Sequence, residues 1–98
     1  MGERVTVQVC HQDGSRVSGA RILAINHDAW TKRFREWHGT TDLSGECTWP
    51  DLDTRTLGNR YTIMAVAKDI NHGHWAGESS LEIKGDTTVT LTVAPASE

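Results

Sequence analysis

The residues best equipped for chemistry in this 98-residue chain are its five histidines, its four tryptophans and one basic–aromatic run. His72-Gly73-His74 sets two imidazoles one residue apart. In an extended segment both rings point to the same side and can share a Zn²⁺ or Cu²⁺ ion. A structural or catalytic site needs third and fourth ligands at about 2.0–2.3 Å. His27, Asp28 and His38 have the right chemistry but no fixed spacing from the pair. A solvated polar loop is the competing reading, with no cofactor. Among the tryptophans, Trp49 alternates with Cys47 and reads as core. Trp30, Trp37 and Trp75 lie in or beside loops and charged stretches, with Phe34 between the first two. Exposed aromatic faces offer large contact area at low entropic cost, which suits a partner protein or a glycan. Folded back, the same rings would fill a core poor in aliphatics. Lys32-Arg33-Phe34-Arg35 mixes cations and aromatics in the manner of a single-stranded nucleic-acid groove. A net charge of −3 and the absence of a second basic run argue for a solvated edge and no nucleic-acid partner.

Familiar catalytic motifs are missing. There is no Gly-x-Ser-x-Gly nucleophile elbow, no Gly-x-x-x-x-Gly-Lys phosphate loop and no dinucleotide fingerprint. The expectation is a non-enzyme, with a metal-dependent site at His72 and His74 as the one catalytic alternative.

Short strands must position these side chains. Val5, Val7 and Val9 alternate with Thr6 and Gln8, a half-buried strand over 4–10. Asp13-Gly14-Ser15 signals a turn. Over 20–26, Ala20, Ile22 and Ala24 share one face and Leu23 and Ile25 the other, which predicts a central strand covered on both sides. Residues 28–39 support two readings. Trp30, Phe34 and Trp37 fall at i, i+4 and i+7 of a helix capped by Asp28 and stopped by Gly39. Alternatively the stretch is an extended edge whose charges block edge-to-edge pairing. A polar turn covers 40–46, and Cys47 and Trp49 form a strand ending at Pro50. A loop over 51–59 is anchored by Leu52 and Leu57. The strongest strand is 61–68, with Tyr61, Ile63, Ala65 and Ala67 on one face and Met64 and Val66 on the other. A Gly- and His-rich loop follows over 69–77. Leu81 and Ile83 mark a short strand, Gly85-Asp86 a turn, and Val89, Leu91 and Val93 the last strand. Residues 1–3 read as an N-terminal extension, 4–93 as one domain and 94–98 as a tail or linker. This pattern predicts an all-β fold: a single antiparallel or mixed Greek-key β-sandwich of about seven strands.

Composition agrees with that class. Leu, Ile, Val and Phe number only 19, so the core is thin, while 12 threonines favour strands. No apolar run approaches the roughly 18–20 residues of a membrane span, and the N-terminus has no signal-peptide pattern. Cys10 and Cys47 read as free thiols rather than a disulfide framework.

The landmarks also come in a recognisable order: V-T-V-Q-V, then D-G-S-R-V-S-G-A-R-I, T-T-D-L-S-G-E, Y-T-I-M-A-V-A and T-V-T-L-T-V. This order resembles the carboxypeptidase regulatory-like domains of the transthyretin-like fold, over most of the chain. Its most specific parts each have a physical reading: Gly19 gives freedom at a strand entry and Ala20 is small where the sheets approach, Asp42 binds turn amides, Gly45 takes positive φ, and the Tyr61 hydroxyl reaches a polar rim. The resemblance also implies that the stretch before Thr41-Asp42 is extended. Domains of this kind are appended to larger proteins as spacers or docking modules. The Tyr-Arg-Gly-Ser ending of the fold's hydroxyisourate hydrolases is absent here. So are the Lys and Glu that adhesin-type relatives join as an isopeptide. The expected function is a non-catalytic protein-interaction or spacer module, with its partner face on Trp30, Phe34, Trp37 and Trp75. A carbohydrate-binding module is the alternative.

Overall fold

In the computed structural model, which describes residues 3–27, 36–52, 60–69 and 73–95, the alternating stretches form strands in two sheets. The strands are β1 (Glu3–Cys10), β2 (Arg21–Asn26), β3 (Glu36–Thr40), β4 (Glu46–Leu52), β5 (Arg60–Asp69), β6 (Gly73–Glu82), β7 (Thr87–Thr92) and β8 (Ala94–Pro95). One sheet has the order β4-β1-β7 and the other β3-β2-β5-β6-β8. β1 runs parallel to β7, with Val5 opposite Thr87 and Cys10 opposite Thr92. The other strand pairs are antiparallel. The fold is therefore an all-β, two-sheet sandwich with one mixed sheet, as the strand pattern predicts. It shows eight strands among the described residues.

Alternation sends one side chain of each pair inward. Val5, Val7, Val9, Cys47, Trp49, Leu52, Val89 and Leu91 line the inside of the three-stranded sheet, all buried. Ala20, Ile22, Ala24, Tyr61, Ile63, Ala65 and Ala67 face them from the other sheet. Burying a Val, Leu or Ile contributes about 1.5–3 kcal/mol. Small alanines let the sheets come close, and Tyr61 and Trp49 restore the missing volume. Tyr61 is completely buried.

Two glycines mark the places of closest approach. At Gly39 on β3, a Cβ would collide with the sulfur of Cys47 on β4. Trp49 beside it donates its indole N–H to the His38 carbonyl at 3.1 Å, tying one sheet to the other. At Gly77 on β6, a Cβ would come within 2.5 Å of the Thr92 carbonyl oxygen, where β7 ends. Buried Thr41 adds a third tie: its hydroxyl donates to Val17 O at 2.7 Å and accepts from Ala20 N at 2.8 Å. The turn after it behaves as expected. Asp42 accepts from the Ser44 and Glu46 amides, and Gly45 takes positive φ.

Several boundaries differ from the sequence reading. β4 continues through Pro50 to Leu52, since an edge strand loses nothing where proline lacks an N–H. The expected Gly/His loop is mostly strand. β6 begins at Gly73 and pairs residue for residue with β5 in a ten-residue hairpin. Backbone pairing with the strong β5 outweighs the loop-like composition. Ala94 and Pro95, expected in the tail, pair with Ala76 and Trp75 as β8. Residues 36–40 are extended as β3, whereas 28–35, the rest of the two-way stretch, lie outside the described residues, as does Leu57.

Candidate functional site

The two outer faces of the sandwich differ in chemistry. On the three-stranded sheet, Thr6, Thr48, Thr88, Thr90 and Thr92 point outward with Gln8 and Glu46. These groups satisfy one another. Thr6 bonds Thr48 at 3.2 Å, Thr90 donates to Gln8 at 3.2 Å, and Gln8 donates to Glu46 at 2.8 Å. This is the polar, solvated side usual for an antiparallel sandwich.

The five-stranded sheet departs from that rule. Leu23 and Ile25 on β2 and Met64 on β5 are half-buried, and Val66 is 48% exposed. Register makes them a continuous patch: Leu23 stands opposite Met64, and Arg21 opposite Val66, with Ala76 of β6 beyond. Grooves flank the patch on either side. One, of about 330 Å³, is lined by Met64, Val66, Ala76 and Glu78. The other, of about 310 Å³, is lined by Arg21, His38 and Thr40. No third layer of described residues covers this face. The other large exposed apolar residue, Leu43, sits alone at a turn, and single exposures of that kind need no explanation.

Charges rim the patch in order. Glu36 lies on the Ile25 rung and Glu78 on the Met64 rung. Arg21 shares the Val66 rung, and Lys68 lies one rung further, opposite His74. Arg60 and Glu82 face each other at the end of the hairpin, where Lys84 reaches Glu82 at 3.2 Å.

The residues singled out from the sequence fall elsewhere. Trp37 stands opposite Ala24 and Trp75 opposite Ala67, so both share the inward side of the five-stranded sheet. Both are half-buried against the core. The Trp37 indole nitrogen is buried with no hydrogen-bond partner among the described residues. The Trp75 ring meets His11 edge-on, centroids 5.0 Å apart. These two indoles therefore plug the open ends of a thin core, as the folded-back reading expects. Trp30 and Phe34 lie outside the described residues. His74 is exposed on β6, across from Lys68, and its neighbour His72 lies outside the described residues. No cluster of three metal-ligating side chains occurs among the described residues.

The two thiols are free and lie on opposite sides of the three-stranded sheet. Burial raises the Cys47 pKa above its ordinary value. At the Asp13 turn, the Ser15 hydroxyl and amide lower the carboxyl pKa.

The patch did leave a trace in the sequence. Leu23 and Ile25, then Met64 and Val66, are apolar on the second face of two strands. That pattern reads equally as a covered strand or as an uncovered apolar face, and pairing β2 with β5 merges the two traces into one surface. Compared with known proteins, the chain matches no family model and no curated protein.

Proposed function

We propose that this domain is a non-catalytic protein-interaction module whose docking surface is the outer face of the five-stranded sheet. The apolar patch of Leu23, Ile25, Met64 and Val66 carries this reading. Solvated sheet faces ordinarily alternate to polar residues, as the threonine face of the same molecule does. Continuous apolar patches rimmed by charge are characteristic of protein contacts. The order of sequence landmarks resembles that of the carboxypeptidase regulatory-like modules, and the reading takes up the docking role that this resemblance implies.

A pair of double variants tests the function. L23K/M64K charges the apolar face, and T48K/T90K charges the threonine face. Both should fold and melt within a few degrees of wild type. Only L23K/M64K should lose in-cell chemical cross-links from this protein to other polypeptide chains. Equal loss from both, or no loss from either, removes the reading.

A further inference from the structure

We propose that the groove between β2 and β3 on the outer face binds a phosphate monoester through Arg21, His38 and Thr40. This site is separate from the protein docking described above and stands or falls without it. Arg21 faces Thr40 directly across the two strands, and His38 is the next outward residue along β3. All three are exposed, and they line one groove of about 310 Å³. Among the described residues, none of their side chains is held in a hydrogen bond or an ion pair. On the threonine face, by contrast, Thr6, Thr48 and Thr90 are each bonded to a neighbouring side chain.

The surrounding charges favour an anion here. Lys68 lies one strand and one rung from Arg21, with His74 opposite it, about 8 Å away in the plane of the sheet. The carboxylates of this face are further off. Glu36 is the next outward residue beyond His38, two rungs from Thr40, and Glu78 is two strands and one rung from Arg21. Both are about 12 Å or more from the Arg21–Thr40 pair. Asp42, just past Thr40, turns its carboxylate to the Ser44 and Glu46 amides. The donor set then selects the kind of anion. Arg21 offers a planar fork for two oxygens, and His38 and Thr40 add one donor each. These donors come from both walls of the groove and from two rungs. That spread suits the tetrahedrally placed oxygens of a phosphoryl group better than a planar carboxylate. Leu23 stands directly opposite His38 and begins the apolar patch, so the organic part of a monoester has an apolar surface to lie on. Binding is non-covalent, and no bond of the ester is broken.

Titration of the isotope-labelled full chain with phenyl phosphate, followed by NMR, tests the site. The amide signals of Arg21, His38 and Thr40 should shift and saturate with a Kd of about 1 mM, and that of Thr90 should stay in place. R21Q should weaken binding about tenfold or more. R21K keeps the charge but loses the fork, and should weaken it about threefold. K84Q removes a cation outside the groove and should leave the Kd unchanged. All three substitutions are on exposed side chains, and the same spectra report that each variant is folded. Inorganic phosphate lacks the apolar ring and benzoate lacks the phosphoryl oxygens, so each should bind several-fold more weakly than phenyl phosphate. The absence of saturable shifts in wild type overturns the proposal, as do equal losses in R21Q and K84Q. Benzoate binding as tightly as phenyl phosphate overturns the phosphoryl assignment, and inorganic phosphate doing so overturns the monoester.

Discussion

Leu23 and Met64 stand directly opposite each other on β2 and β5, and both turn away from the core onto the open side of the five-stranded sheet. The proposed docking surface would account for the apolar residues that these two neighbouring strands carry on both faces. L23K/M64K should therefore change folding stability by only about 0.5 kcal/mol, or about 2–4 °C in melting temperature. Thermal unfolding by circular dichroism checks this. A loss of several kcal/mol would mean that the pair belongs to the core.

Gly39 is the place where β3 passes over β4. G39A drives a Cβ into the Cys47 sulfur and should cost about 1–3 kcal/mol through overpacking. C47A removes the obstructing atom at the price of a small cavity. The double variant G39A/C47A should be more stable than the sum of the single effects predicts. Urea unfolding of the four-member cycle reads the coupling, and strict additivity would refute the contact.

Thr41 ties the turn ahead of β2 to the segment after β3 through two short bonds. T41V keeps the shape but leaves the Ala20 amide and the Val17 carbonyl without this partner. Each unsatisfied buried group costs about 1–3 kcal/mol. Equilibrium unfolding should show a loss within that range or above it. T41S, which retains the hydroxyl, should recover most of it.

Cys47 is buried, and desolvation raises its thiol pKa above the ordinary 9.0. The folded state therefore holds this proton more tightly than the unfolded chain does. The resulting stability is complete below the unfolded value and is lost as pH rises through the folded one. Stability should decline in mildly alkaline buffer, and the decline should shrink in C47A. In native protein at neutral pH, a thiol reagent should modify half-buried Cys10 before Cys47.

Period-two alternation made most of the sandwich legible from sequence. Val5, Val7 and Val9 announce β1, and Tyr61 through Ala67 announce β5, because one face must be apolar and the other need not be. The β6 end of the long hairpin was hidden because His74, Trp75, Ala76 and Gly77 have loop-like composition, and their pairing with β5 is a long-range effect. The aromatic residues were the harder case. A half-buried Trp37 and an exposed one give the same local pattern, and only the register with Ala24 shows that the ring faces inward. The outer patch was present in the sequence as two separate hints, and the β2–β5 pairing supplies the geometry that joins them.

The central claim is that a protein surface rests on the outer face of the five-stranded sheet. The most direct measurement places a photo-activatable cross-linking residue at Val66, with Thr90 on the opposite outer face as the comparison site, in the full-length protein in its own cell. The account predicts protein adducts, whether a second copy or another chain, from position 66 and few from position 90. Equal labelling from the two faces, or adducts from position 90 alone, would contradict it.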